Sequence, residues 1–306
     1  EALFLLDHVV GWRDLFARPE FSHADAGLAR AVLTEGARFA QSTLAPLNPI
    51  GDEQGCRLEQ GRVRLAPEFV AAYKDFTAAG WPGLDMPQQM GGQELPLSVQ
   101  VAFAEMLNGA CVAFGMLVVA LRAGGRLLCE HADPQLAELI VPKLVSGEWS
   151  ATICITESHA GSDVGRLRTR AIRRDDGRYE LSGNKIFISF GDHDLTGQII
   201  HLILARTPDA PAGTAGISLF AVPARKLEDG GANGVSVSRL EKKMGLKGSP
   251  TCVLDLDRAV GWRIGPELQG LKCMFTMVNL MRLEVAVQGV ALAHAAPAKA
   301  LKYAAE

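Results

Sequence analysis

Apolar residues recur at three- and four-residue steps from the start of the chain to about residue 150, with short breaks between the runs, so residues 1–150 are predicted to form an all-α N-terminal domain. Its clearest boundary is Asp133-Pro134, an N-cap residue followed by proline at the first helical position. Leu136, Leu139 and Ile140 then share a face, and Pro142 is expected to kink or end the helix before Gly147. The run from Ala110 to Cys129 is apolar nearly all round, which predicts a helix enclosed by others. Residues 80–92 carry glycines and prolines that cannot continue a helix and read as a loop. From about residue 151 the pattern shortens to β-rich runs: Thr152–Thr156, Leu167–Arg173, Tyr179–Ser189, Ile199–Ala205, Ile217–Val222, Val235–Leu240 and Cys252–Leu256. These predict a central β domain over 151–266. Asp176-Gly177 predicts a tight hairpin with positive φ at both central residues. After Gly270 a helix is expected from Leu271 to about His294, with Pro297 as its break, so that 267–306 opens a second helical unit.

The composition, 48% hydrophobic and 21% charged over 306 residues, supports sizeable cores and carries no mark of disorder. Thirty-one basic against 34 acidic residues leave a net charge of −3, which argues against a dedicated nucleic-acid binder. The longest uncharged apolar stretch, Ala110–Leu121, stops at Arg122, so no membrane span is expected. Six cysteines form no C-x-x-C pair and read as scattered reduced thiols, with no metal site predicted. The first residues lack the pattern of a secretory signal, which makes the cytosol the expected compartment. The sequence does not begin with Met and ends at Glu306 in mid-pattern, so further residues are expected on both sides.

No Rossmann, P-loop, nucleophile-elbow or zincin motif is present. What remains is Ile153-Cys-Ile-Thr-Glu-Ser-His-Ala-Gly-Ser-Asp163, a strand opening into a loop of small residues. Such a loop lets backbone N–H groups and short hydroxyls approach a flat or anionic ligand; an ordinary connection is the plainer reading.

Four ordered motifs carry a resemblance over essentially the whole chain. They are Gly80-Trp-Pro-Gly-Leu with Gly91-Gly92, Pro142-Lys-Leu-Val-Ser-Gly-Glu148, Thr156-Glu157 with Ala160-Gly-Ser-Asp163, and Gly183-Asn-Lys-Ile-Phe-Ile-Ser189. Together they resemble the flavin-dependent acyl-CoA dehydrogenase family. Gly191-Asp-His-Asp194, Lys247-Gly-Ser-Pro-Thr251 and Lys272-Cys-Met-Phe-Thr-Met277 are similar to its long bacterial subgroup, which includes the 3-methylmercaptopropionyl-CoA dehydrogenases. The resemblance implies an α+β multidomain fold: a helical domain, an antiparallel, barrel-like β domain and the start of a C-terminal helical bundle. It also implies FAD as cofactor, an acyl-CoA substrate oxidised to a trans-2-enoyl-CoA, electron-transfer flavoprotein or a similar acceptor, and a homodimer or homotetramer. The alternative is a non-catalytic acyl-CoA or flavin binding module, or a fragment without the catalytic base.

By the same resemblance, Ile153, Cys154, Ile155, Thr156, Gly161 and Ser162 would lie along the flavin, and Phe187, Ile188 and Ser189 would complete its wall. Ser162, Asn279 and Arg282 would meet the acyl-CoA. Phe187 stands where many members have Trp, Ser189 where they have Thr, and Ile153 replaces a frequently aromatic position. Ser158-His159 departs from a usual Pro-Gly or Pro-Gln; His159 reads as a tolerated loop residue ahead of an acid or base. Some relatives carry the base immediately before the arginine at 282, where this chain has Met281, so the base is expected beyond Glu306, with Glu284 a distant second candidate. Arg166, Arg168 and Arg170 alternate along one strand face, a solvated surface or, more sharply, a phosphate contact with CoA or FAD. Gly191-Asp-His-Asp194 reads as a loop beside the flavin strand.

Overall fold

The computed structural model describes residues 2–306. A short turn, α1 (Ala2–Leu5), precedes α2 (Ala26–Phe39), α3 (Leu47–Gln54), a hairpin of β1 (Arg57–Glu59) and β2 (Arg62–Arg64), then α4 (Pro67–Ala78), α5 (Leu97–His131) and α6 (Pro134–Val145). The sequence explains the helix ends. The Asp25 side chain accepts from Leu28 N–H at 2.7 Å, and Asp133 accepts from Gln135 N–H at 3.0 Å with Pro134 behind it.

One expectation for this region is corrected and one is met. The N-terminal region is not all-α, because β1 and β2 pair antiparallel through Leu58 and Val63. As expected, α6 ends near Pro142 and before Gly147, at Val145; the proline sits in its last turn, where the Glu138 carbonyl loses its helical N–H partner. α5 is interrupted at Cys111, whose backbone is non-helical (φ −154°, ψ 94°).

The strands follow as β3 (Trp149–Cys154), β4 (Arg170–Arg173), β5 (Tyr179–Ser189), β6 (Gln198–Ala205), β7 (Ser218–Pro223), β8 (Val235–Leu240) and β9 (Thr251–Ile264). They form a seven-stranded sheet in the order β3-β6-β7-β9-β5-β4, with β8 also on β9. The sheet is not a closed antiparallel barrel. β3 and β6 run parallel, and only an isolated bridge, Arg170 to Arg206, ties β4 back toward the end of β6. The β4–β5 hairpin forms as expected, but only Gly177 takes positive φ (82°). Gly177 N–H bonds Arg174 C=O and Arg174 N–H bonds Arg178 C=O, a type I turn followed by a left-handed glycine.

β6 and β7 are buried along their whole length, so the sheet is covered on both faces. On one face Ile203, Phe220, Val222 and Leu254 join the N-terminal helices and the first half of α5. On the other, Ile200, Leu202, Leu219 and Ala221 pack with the second half of α5, α6 and the last helix, α7 (Gly270–Ala305). α7 continues through Pro297, correcting the expected break; the Ala293 carbonyl that loses its N–H partner lies on an exposed stretch, where water can bond it. Contrary to the reading from the uncharged run, α5 and α7 are each long and apolar enough to cross a membrane by length and composition. In α5, however, 72% of that apolar window is buried inside the fold, against 28% in α7.

Candidate active site

At the end of β3 the chain turns back on itself: Glu157 and Ala160 exchange both backbone hydrogen bonds, each 3.0 Å, around Ser158-His159. The turn is held from below by the Glu157 carboxylate, 4% exposed. Oε2 accepts from Arg168 N–H at 2.7 Å; Oε1 accepts from Thr169 N–H at 3.0 Å, from the Thr169 hydroxyl at 2.6 Å and from Lys185 Nζ at 2.8 Å. Lys185, fully buried on β5, also donates to Ile155 C=O at 3.0 Å. Burial works to raise the Glu157 pKa, but the Lys185 charge and these donors outweigh it and hold the carboxyl below its ordinary value.

Two residues beyond Lys185, β5 bulges against β9. Ile186 N–H bonds Thr156 C=O at 2.9 Å, stitching the bulge to the loop, and Phe187 takes φ 61° with its ring 59% exposed. A bulky residue in the left-handed region costs of order 1–3 kcal/mol, and an exposed aromatic ring recovers little of it by burial.

The structure brings together part of the sequence-predicted set. Ile153 and Ile155 face the second core, half-buried beside residues of α7. Thr156, Gly161 and Ser162 lie at the open edge, and neither the Thr156 and Ser162 hydroxyls nor the Gly161 and Ser162 N–H groups have a partner among the described residues. Ser189 is half-buried and pairs with Thr251. Cys154 and Ile188 point the other way, into the first core, so only their backbones can meet a ligand on this side; burial pushes the Cys154 thiol up to about 12. His159 Nε2 sits 3.5 Å from the Glu157 carboxylate.

On α7, Arg282 donates to Asn279 Oδ1 at 3.3 Å and lies over the Phe275 ring at 5.3 Å, both on the exposed side. Glu284 is 2% exposed and bonded to Arg122, whose guanidinium also grips Asp85 at 2.9 and 2.7 Å. A carboxylate locked in a buried ion triad is a strut between helices and not a free base. Burial opposes the charge on Asp85, but Arg122 and Arg126 hold its pKa below the ordinary value. Asp192 and Asp194 are latches: Asp192 accepts from Val63 N–H at 2.7 Å and Arg62 Nε at 3.0 Å, and Asp194 from Leu65 N–H at 3.2 Å. His193 between them is buried against Ser150 at 2.9 Å.

Sequence reasoning missed the two buried charge clusters. Glu157 and Lys185 were visible in their motifs, but nothing local shows that residues 28 apart meet. The donor set of the shelf, free hydroxyls, free N–H groups and an exposed ring, fits a flat polar cofactor.

Comparison with known proteins bears on that fit. The chain matches the family model of the acyl-CoA dehydrogenase N-terminal domain over residues 29–148 and that of the middle domain over 152–259. It is 42% identical over 309 residues to 3-methylmercaptopropionyl-CoA dehydrogenase of Ruegeria pomeroyi, covering 99% of this chain and 52% of that protein. It thus spans about half the length of the curated relatives it matches. Butyryl-CoA dehydrogenase from Megasphaera elsdenii superposes with a TM-score of 0.75 over 90% of this chain and 68% of that one, at 24% identity. An acyl-CoA dehydrogenase complexed with FAD from Bacillus anthracis does so with a TM-score of 0.70 over 86% and 42%, at 23% identity. At such identities these superpositions establish the fold.

Proposed function

Because the chain belongs to the acyl-CoA dehydrogenase family, we propose that it supplies the N-terminal and middle parts of an FAD-dependent enzyme converting an acyl-CoA thioester to a trans-2-enoyl-CoA. FAD, when bound, supplies the hydride acceptor that no side chain provides. The observation that carries the reading is the stitched pair of edges, Ile186 N–H on Thr156 C=O, which sets a strained, exposed Phe187 beside a loop of free donors. Phe187 forms one wall, Thr156 offers its hydroxyl to a polar ring edge, and Ile153 and Ile155 keep water from the opposite side. Cys154 and Ile188 support these positions from the core. Ser162 faces the acyl-CoA, and Asn279 and Arg282 stand at its entrance.

Neither α7 position weighed for the base serves: residue 281 is Met, and Glu284 is held by Arg122. We assign the base to a segment outside residues 1–306, as about half of the relatives' length lies outside the match. Electron-transfer flavoprotein as acceptor, a homodimer or homotetramer, and a cytosolic setting complete the reading. The test is to saturate the complete protein with FAD, remove excess, and identify the retained ligand by mass. Stoichiometric FAD that bleaches anaerobically with an acyl-CoA is the expected result; a protein that retains only NAD, or no flavin, refutes it.

A further inference from the structure

Most guanidinium groups here have carboxylate partners: Arg30 on Asp7, Arg62 on Asp192, Arg174 on Glu180, Arg178 on Glu228. Arg166, Arg168, Arg170 and Arg173 are a cluster of those without one; Arg206, Arg225, Arg258 and Arg282, the others among the described residues, are scattered along the chain. All four of the cluster are exposed, within eight residues of one another, and none has an ion pair among the described residues. Charge on an edge strand also deters unwanted pairing, but that role needs no cavity. There is one. A cavity of about 570 Å³ is lined by Arg168, Arg170, Ile172, Arg206 and Thr207, with Asp209 its one carboxylate. This lies within the roughly 300–1,000 Å³ of small-molecule sites.

The walls are built rather than accidental. Arg206 spends its donors on Leu167 C=O (2.9 Å), Pro211 C=O (2.9 Å), Gly165 C=O (2.5 Å) and Gly213 C=O (2.6 Å), binding the 163–167 turn to the 207–216 loop. Its backbone is bonded to Thr169 and Ala171 on the other side. Arg168 and Arg170 are thereby set in a fixed frame with nothing in the chain to grip. Arg168 N–H is itself tied to Glu157, which places the cavity at the far end of the loop that carries Ser162. Ile172, 57% exposed on the same strand face, adds apolar surface beside the two forks.

Paired guanidinium forks next to an exposed aliphatic face suit a phosphorylated nucleotide. We propose that this cavity receives the 3′-phosphorylated ADP end of the CoA substrate, with Arg168 and Arg170 on phosphate and Ile172 against the base. The proposal rests on the acyl-CoA reading above. Its test uses the complete, FAD-loaded protein and three probes: CoA, dephospho-CoA, which lacks the 3′-phosphate, and inorganic phosphate as competitor. Wild type should bind CoA about tenfold or more tightly than dephospho-CoA, as expected for one charge-assisted contact. The Arg168→Ala/Arg170→Ala double variant should lose that preference, show a shallower salt dependence, and keep its FAD. A preference for CoA that survives in the double variant overturns the proposal, as does inorganic phosphate competing as tightly as CoA itself binds. Retained FAD with no CoA preference in wild type sinks the arginine site alone; loss of FAD binding sinks the family-level reading instead.

Discussion

Lys185→Met tests whether the buried pair beneath the loop holds the shelf in place. The substitution keeps length and apolar volume while removing one charge from a site with no solvent access. It leaves Glu157 ionised, 4% exposed, and still accepting from Arg168 N–H, Thr169 N–H and the Thr169 hydroxyl. Breaking a buried ion pair from one side costs about 3–5 kcal/mol. Three surviving donors place this case at the lower end, about 3 kcal/mol, or on the order of 10 °C in Tm. The pH dependence gives the signature. In wild type the Glu157 pKa lies below its unfolded value, so the pair's contribution is present above about 4.5 and is lost as pH falls through the folded value. In the variant the unpaired carboxylate has its pKa raised by burial, so it takes up a proton more readily folded than unfolded. The gap in Tm between wild type and variant should therefore narrow as pH is lowered from 7 toward 5. The Glu157→Gln/Lys185→Met double variant should show no such narrowing. Thermal melts followed by circular dichroism at matched pH measure all three. A single variant that melts within 2 °C of wild type, with a gap independent of pH, would refute the reasoning.

Three further outcomes are expected. Phe187→Gly relieves the left-handed strain and loses little buried surface, so the apoprotein should melt no lower than wild type while its FAD affinity falls; unchanged affinity by fluorescence titration would remove Phe187 from the flavin wall. Arg122→Met strands two buried carboxylates and should lower stability by more than about 3 kcal/mol, whereas Glu284→Gln in the complete enzyme should lower Tm but leave kcat within a few-fold; a loss of anaerobic flavin bleaching in the glutamine variant would make Glu284 the base after all. His193 and His201 are buried and held near 3 and 4, below the ordinary 6.5, because desolvation disfavours their charged forms; their contribution is complete above 6.5 and lost as pH falls toward those values, about 2 kcal/mol each at pH 5, and denaturant titrations of His201→Asn between pH 7 and 5 should show a shallower decline than wild type.

The elements were legible where the physics is local. Tyr179–Ser189 and Val235–Leu240 were read to the residue because alternation is a two-residue property. The β1–β2 hairpin escaped because its strands are three residues long and mostly exposed, although Gln60-Gly61 between Leu58 and Val63 held a turn signal. The parallel pairing of β3 with β6 could not be read, since register between strands some fifty positions apart leaves no mark on either. At the site, motif likeness found the loop and the bulge but assigned whole runs. Strand geometry then splits each run, turning Cys154 and Ile188 inward while Ile155 and Phe187 stay at the open side. The Arg122 triad joins residues from three separate segments and was invisible until the chain folded.

The break in α5 at Cys111 has a consequence for how the molecule holds together under load. Residues before and just after it anchor one core, residues from Ala120 onward anchor the other, and the sheet lies clamped between. The stretch of α5 beyond the break, residues 112–131, is thus a member of both structures, much as one beam carries two floors. Loosening either side transmits to the other through the same helix, so the helical and sheet portions cannot melt one after the other. Cleavage in the Ser146–Glu148 turn, just before β3 and close to where the two family signatures meet, should yield two pieces that stay associated and unfold in one transition, with the shelf at Thr156 and Phe187 disappearing in the same step as the N-terminal helices.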